Sequence, residues 1–122
     1  MTTQEIANRL VTLCRTGQSA TAYQELFASD AVAYEMPGAP NAVTKGIPAL
    51  LEKSKAWEDN INRVVRMEVT DPVVYGNYIA MGMGVQVEKK DGSLGNFEHE
   101  MCVYRVNDGK IVEERFIYAM PG

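Results

Sequence analysis

Carboxylate and tyrosine side chains recur at alternate positions in two segments of the C-terminal half. Glu100 and Tyr104 share one parity of the first segment, and Glu114 and Tyr118 share one parity of the second. Alternate residues of a β-strand lie on one face, so each pair would lie on the same side of a sheet. Carboxylates gathered in a partly apolar hollow repel each other and lose hydration, which raises the pKa of at least one of them. Such a group can take a proton from a carbon next to a carbonyl, or protonate a leaving oxygen.

The composition argues against several other kinds of function. The chain has 122 residues, a net charge of −4 and no stripe of Lys and Arg, so we expect no nucleic-acid partner. His99 is the only histidine, which excludes a site of several imidazoles, and we expect neither a metal nor a cofactor. Cys14 and Cys102 lie far apart and are expected to be free thiols. Because there is no basic leader and no long apolar run, we expect no membrane partner and a cytoplasmic location.

Helical spacing of apolar residues in the first half predicts helices that would position these groups. Thr2-x-x-Glu5 is a capping box that opens the first helix. Thr21-x-x-Gln24 is expected to cap a second helix, which Asp30 ends. The short strand 31–36 follows and carries Glu35, a third candidate carboxylate.

A third helix is predicted from Pro48, which suits a first helical turn. Ser54 and Trp57 lie within its apolar stripe, so they face the same side as its buried residues. Ser54 is then a packed serine, and Trp57 is either a core residue or a platform for a ligand. Two lysine pairs lie among acids and are expected to be solvated: Lys53 with Lys55, and Lys89 with Lys90.

After residue 61 the pattern changes to strand-like segments separated by turn signals. We expect four strands, at 63–74, 78–88, 95–106 and 110–120. Asp71-Pro72 marks a bend in the first of them, because proline cannot donate to a strand ladder. Helices followed by an antiparallel meander predict an α+β fold in one domain, residues 1–122, with the helices packed on a curled sheet.

Parity divides this predicted sheet into two different faces. One face is apolar and Met-rich, and the other mixes glycines, carboxylates and aromatic side chains. The Met-rich set comprises Met81, Met83, Val85, His99, Met101 and Val103. If this set packs against the helices, it is the core. If the mixed face packs there, carboxylates line a hollow and the Met-rich face needs a partner. Parity alone leaves both arrangements open.

Four segments resemble the nuclear transport factor 2 superfamily, and within it the small SnoaL-like proteins. They are Glu5-Ile-Ala-Asn-Arg-Leu-Val-x-Leu-Cys14, Thr44-Lys-Gly46, Lys53-x-Lys-x-Trp57 and Asp108-Gly-Lys-Ile-Val-x-Glu-x-Phe-x-Tyr118. The resemblance implies a cystatin-like fold, in which helices pack on the concave face of a curved antiparallel sheet, or cone. The superfamily includes isomerases, dehydratases, cyclases, epoxide hydrolases and binding proteins, so the fold does not decide the activity.

The segment Phe27-Ala-Ser-Asp-Ala-Val-Ala-Tyr-Glu35 is also similar to the part of ketosteroid isomerases that carries their general-base aspartate. Those enzymes, a well-known example of carboxylate tuning, pair that base with an oxyanion hole made by a tyrosine and a protonated aspartate. At the corresponding positions this chain has Leu10 and Cys102, and Ser54 replaces a further tyrosine. Without those donors an enolate loses much of its stabilisation, so steroid isomerisation is not expected.

The resemblance favours the mixed face as the concave one. It implies three catalytic candidates and a set of pocket residues. The catalytic candidates are Glu35, Glu100 and Glu114; the pocket residues are Ser54, Trp57, Gly84, Gln86, Cys102, Tyr104, Phe116 and Tyr118. The Met-rich set would then form a homodimer interface.

Three functions remain open on the sequence alone. The first is a cofactor-free isomerase, cyclase, dehydratase or hydrolase that acts on a small organic molecule through a pocket carboxylate. The second is a protein that binds a small ligand without catalysis. The third is an interaction module that works through the Met-rich face.

Overall fold

The computed structural model describes residues 1–119 of the chain. This part contains three helices and seven strands. In chain order they are α1 (Thr3–Arg15), α2 (Ser19–Leu26), β1 (Phe27–Tyr34), β2 (Val43–Lys45), α3 (Ile47–Asp59), β3 (Ile61–Val69), β4 (Val73–Tyr75), β5 (Tyr78–Lys89), β6 (Glu98–Asn107) and β7 (Lys110–Ile117). The predicted α+β class and the order of helices before the long strands are confirmed.

The seven strands form one sheet in the order β2-β1-β7-β6-β5-β3, and β4 pairs with β5. Neighbouring strands are antiparallel except β1 and β7, which run parallel. The helices pack against one face of the sheet, where Ile79, Met81, Cys102 and Tyr104 are buried. We call this the inner face and the opposite side the outer face. No helix within residues 1–119 is long and apolar enough to cross a membrane.

The first helix forms as its sequence predicts. The Thr2 hydroxyl accepts a hydrogen bond from the Glu5 backbone N–H at 3.1 Å, and the Thr2 N–H donates to the Glu5 carboxylate at 2.8 Å. This capping box satisfies two backbone donors that the helix end would otherwise leave free. The apolar stripe, with Ile6, Leu10 and Leu13, is at most 1% exposed. In α1, the residues that the sequence pattern predicts to cap the helix and to face the core do so in the structure.

Several predicted boundaries were wrong where tertiary pairing overrides local signals. The second helix ends at Leu26, before the predicted stop, because the chain then pairs with β7 from Phe27 onward. The predicted strand 63–74 divides into β3 and β4 on either side of Pro72, which confirms the bend. The last strand ends at Ile117. The predicted strand end, Met120, lies outside the described residues.

The Met-rich set does not share one face, and that prediction was wrong. On the β5–β6 ladder Met81 lies opposite Cys102, and Met83 lies opposite Glu100. Directly opposed side chains point the same way, so both methionines face the helices. Val85, opposite Glu98, also faces the helices. His99, Met101 and Val103 lie on the outer face, opposite Gly84, Gly82 and Ala80. Parity within each strand was correct. The phase between the two strands depends on their pairing register, and a shift of one residue exchanges the faces.

Position 84 suits glycine, because the Phe97 ring occupies the space that a side chain would need. A Cβ at this position would approach the ring to 2.5 Å. Arg66 lies over the ring at 4.1 Å from its centroid, and His99 meets it edge-on at 4.7 Å between centroids. The ring is therefore held from two further sides.

We predict that Gly84→Ala lowers the free energy of unfolding by about 1–3 kcal/mol, because the ring must leave its position. Urea unfolding measures this effect. The double variant Gly84→Ala/Phe97→Ala is the control, since without the ring the added methyl group meets no clash. Equal costs of Gly84→Ala with and without the ring would contradict the explanation.

Candidate functional site

Charged and polar side chains gather on the inner face where β1, β6 and β7 approach α3. Glu35 directly follows β1, Glu100 lies on β6, and Tyr118 directly follows β7. Lys53 reaches Glu35 from α3. We call these four residues the Glu35–Glu100 cluster. Glu114, on β7, lies deeper, between the sheet and α2.

Glu35 is held at both carboxylate oxygens. Lys53 Nζ lies 2.7 Å from its Oε1, and the Tyr118 hydroxyl donates to its Oε2 at 2.9 Å. The two ion-paired side chains are only 18% and 30% exposed, so solvent screens the pair less than on an open surface. Lys53 Nζ also lies 5.3 Å from the centroid of the Phe116 ring. Glu35 is therefore a paired carboxylate, and it fixes the positions of Lys53 and Tyr118.

Glu100 has no such partner. Within residues 1–119 it forms no salt bridge, and the Cys102 thiol donates to its Oε1 at the long distance of 3.8 Å. Burial raises the pKa of Glu100 and the charge of Glu35 raises it further, whereas Lys53 opposes the rise. Glu100 is a half-buried carboxyl group whose protonated form is favoured more than that of an exposed glutamate.

Glu114 is enclosed by the fold. It is 4% exposed, lies opposite Tyr104 on the β6–β7 ladder, and accepts a 2.9 Å hydrogen bond from the Tyr23 hydroxyl. Burial raises the pKa of Glu114 to about 7, while the hydrogen bond from Tyr23 and the charge of Lys53 pull it down. A group so enclosed does not meet a ligand at the surface of the site. It is a titratable group of the core.

Several of the predicted pocket residues lie elsewhere. Gly84 and Gln86 lie on the outer side of β5, where the Gln86 amide donates to the Gly95 carbonyl at 3.0 Å. The Ser54 and Ser19 hydroxyls lie 3.1 Å apart and join α3 to α2, so Ser54 is a packed serine. Trp57 is 45% exposed near the end of α3.

The remaining predicted residues lie on the inner face. Phe116 lies beside the cluster, opposite Cys102 on the β6–β7 ladder. Cys102 and Tyr104 are at most 2% exposed and belong to the core. Burial strongly raises the pKa of the Cys102 thiol, so it is not a thiolate nucleophile. Both cysteines are free, as predicted.

Two residues of the site were missed from the sequence. Lys53 was expected to be solvated, but it lies three residues from Leu50 and four from Trp57 and therefore flanks the apolar stripe. That position was the available signal. Tyr23 was interpreted only as an inward-facing residue of α2, and no local pattern indicates its contact with Glu114, 91 residues away. Residues 1–119 hold no group of three or more His, Cys, Asp or Glu placed to bind a metal ion.

The outer face carries an open groove of about 260 Å³, whose lining includes His99, Met101 and Ile117 and also Met83 and Glu100 of the inner face. Met101 is 45% exposed and Ile117 is 50% exposed. His99 lies on this face, opposite Gly84, and not beside Glu98 or Glu100. The predicted homodimer therefore concerns only the outer members of the Met-rich set. It stays a prediction, which sedimentation velocity would check.

Comparison with known proteins agrees with this architecture. Residues 1–118 match the family model of the SnoaL-like domain. A protein from Mesorhizobium loti, described as a candidate SnoaL-like polyketide cyclase, is 36% identical, with a TM-score of 0.88 over 97% of this chain and 100% of that one. No curated protein matches the sequence significantly.

More distant structures share the fold alone. A Xanthomonas campestris protein of unknown function with a cystatin-like fold is 20% identical, with a TM-score of 0.79 over 98% of this chain and 92% of that one. TerC, crystallised with polyporic acid, is 12% identical, with a TM-score of 0.77 over 96% and 91%. The match to the family model spans nearly the whole chain, and the Mesorhizobium protein is similar over its full length. The chain therefore belongs to the SnoaL-like family.

Proposed function

We propose that this protein binds a small organic carbonyl compound at the inner face and transfers a proton to or from it through Glu100. The observation that carries this proposal is a half-buried carboxyl group that forms no salt bridge within residues 1–119, on the same inner face as the Glu35–Lys53 ion pair. Such a carboxylate can take a proton from the carbon next to a carbonyl; the electron pair of the C–H bond then forms a C=C bond, and the π pair of the carbonyl moves to its oxygen to give an enolate. A proton returned at another position completes an isomerisation or opens the way to cyclisation.

Lys53 is the group best placed to stabilise the negative charge that develops on that oxygen. One of its N–H groups binds Glu35, and an ammonium group has two more donors. Because Glu35 and the adjacent Phe116 ring hold Lys53 in place, it need not reorganise during the reaction. Glu35 thus acts in this proposal as a positioning residue. It is not the base, because both of its oxygens are engaged.

Two of the similar proteins support the kind of ligand. The Mesorhizobium protein is described as a candidate polyketide cyclase, with carbohydrate phosphatase as a second description, and TerC was co-crystallised with polyporic acid. A cyclase that joins two carbons of one molecule begins by removing a proton next to a carbonyl. That is the step assigned to Glu100. An isomerase or a cyclase is accordingly the enzyme class that we favour.

A binding protein without catalysis is the second candidate. Its support is the pairing of Glu35 with Lys53 and Tyr118, together with the enclosure of Glu114. In this interpretation, two of the three candidate carboxylates are therefore not available to exchange a proton with a ligand. A ligand that is bound and recovered unchanged, with no exchange of its C–H hydrogens, would favour this function.

Deuterium exchange tests the catalytic proposal without a known substrate. We expect the protein to accelerate exchange of the C–H hydrogens next to the carbonyl of ketones such as 2-tetralone, followed by proton NMR in D₂O. Lys53→Met should lower the rate by about 10²–10³-fold, the usual effect of losing one donor to an oxyanion. Lys55→Met is the matched control, because Lys55 pairs with Asp59 on the exposed side of the same helix. Equal rates for the two variants, or no acceleration across a panel of ketones, would contradict the proposal.

A further inference from the structure

An open hollow of about 550 Å³ lies at the C-terminal end of α3. Its lining consists of Trp57, Asn60, Ile61, Val87, Lys89, Lys90 and Asp91. Sites for small molecules commonly have volumes of about 300–1,000 Å³. The hollow is distinct from the Glu35–Glu100 cluster, since no residue lines both.

The hollow nevertheless adjoins the cluster along two elements. On α3, Trp57 lies four residues beyond Lys53, which is about one helical turn on the same side of the helix. On β5, Val87 lies four residues beyond Met83, the residue opposite Glu100. Alternate residues share a face, so Val87 and Lys89 point to the side that faces the helices. A distance of about 13 Å along the strand separates Met83 from Val87. One elongated molecule can therefore reach both places.

The walls of the hollow suit a flat apolar group. Trp57, which is 45% exposed in all, lines the hollow together with the apolar side chains of Ile61 and Val87. A large aromatic side chain left this exposed loses the hydrophobic stabilisation that burial gives, and a ligand that covers it recovers part of that energy. Ring stacking on the indole would also orient a planar group.

The charges around the hollow favour an anion. Two lysines, Lys89 and Lys90, line it against one carboxylate, Asp91. Asp91 is engaged within its own turn, where it accepts hydrogen bonds from the Ser93 N–H at 2.9 Å and the Ser93 hydroxyl at 2.6 Å. Within residues 1–119 neither lysine forms a salt bridge. Both lysines are exposed, as expected from the sequence, and they line the same hollow as the Trp57 indole.

We propose that this hollow is a second part of the ligand site and that it binds a planar, anionic end of the molecule. Trp57 stacks on the planar group, and Lys89 and Lys90 pair with its carboxylate or similar anion. The opposite, carbonyl-bearing end then lies at Glu100 and Lys53. The inference names the substrate class of the proposed function and rests on it in that respect. The binding site itself does not depend on catalysis.

Fluorescence of Trp57 provides a direct test, because it is the only tryptophan in the chain. The probe is 4-nitrobenzoate, a planar anion that quenches indole emission, and its uncharged amide, 4-nitrobenzamide, is the matched probe. We expect saturable quenching by the anion, weaker binding of the amide, and loss of affinity with added salt. Lys89→Gln and Lys90→Gln should each raise the Kd about two- to fivefold. Lys45→Gln, an exposed lysine on β2 at the far edge of the sheet, should leave the Kd unchanged.

Each outcome supports or overturns the inference. Quenching that does not saturate, equal affinities for anion and amide, or unchanged Kd values in both lysine variants would overturn it. The effects of salt and of the lysines together would support it. Two separate measurements distinguish the two proposals: Glu100→Gln should slow proton exchange about 10²–10⁴-fold, whereas the lysine variants should change the Kd for 4-nitrobenzoate. If exchange is absent in the wild-type protein but the anion binds as described, the proposed catalysis fails and the binding site stands.

Discussion

Replacing Glu100 with glutamine is expected to slow proton exchange on a ketone substrate by about 10²–10⁴-fold, the usual contribution of a general acid–base group. The amide keeps the shape of the carboxyl group but cannot accept the proton. Because burial raises the pKa of Glu100, the wild-type rate should increase with pH as this group ionises and then level off. The variant should lose that rise. Rates of deuterium incorporation measured from pH 4 to pH 9 would show both effects.

Glu98→Gln is the matched control for this substitution. Glu98 lies two residues away on β6, has the same charge and is exposed. It shares the inner-face parity of Glu100, but it lies at the end of the strand. Its replacement should leave the rate within about twofold of wild type, because an exposed group two residues away does not touch the reacting atoms. Equal losses in the two variants would show that net charge matters and that Glu100 has no specific role.

The second large effect concerns stability and Glu114. Its pKa is about 7 in the folded protein, against an ordinary value of 4.5. Between these two values the unfolded chain releases a proton that the folded protein retains. The contribution of Glu114 to the free energy of unfolding should therefore be fully present below pH 4.5 and fall as the pH rises through 7. A difference of this size corresponds to about 3 kcal/mol.

Glu114→Gln isolates this effect from the other ionisable groups. Glutamine resembles the protonated acid, so its carbonyl can still accept the hydrogen bond from Tyr23. The variant should equal wild type near pH 4.5 and exceed it by up to about 3 kcal/mol at pH 8. Urea unfolding at both pH values measures the difference. Lys53 and Glu100 also act on Glu114, but they are present in both proteins and cancel in the comparison. A difference that does not change with pH would contradict the assignment.

Local sequence patterns determined much of the architecture because the interactions behind them are local. The Thr2–Glu5 capping box and the stripe of α1 depend on residues three or four apart, and both form as predicted. Pro72 interrupts a strand because it lacks an N–H, whatever the rest of the fold does. Clear segments that resemble one superfamily then identified the fold over nearly the whole chain.

Contacts between distant residues could not be predicted in the same way. The pairing of Tyr23 with Glu114 spans 91 residues, and that of Tyr118 with Glu35 spans 83. Lys53 and Lys55 have the same charge on the same helix, yet one pairs with Glu35 across the site and the other with Asp59 on the surface. Composition and charge do not distinguish them. The position of Lys53 beside the apolar stripe is a local signal, but only the placement of α3 against β1 decides its partner.

By itself the sequence determined the helices, the long strands and the parity of side chains within each strand, since these follow from backbone geometry over a few residues. The tertiary structure alone decided how β5 and β6 align. That register places Met83 beside Glu100 on the inner face and leaves His99 and Met101 outside. A shift of one residue would have exchanged the two faces while preserving every pattern within each strand. The chemistry of the site therefore depends on hydrogen-bond register and long-range packing, which no local signal specifies.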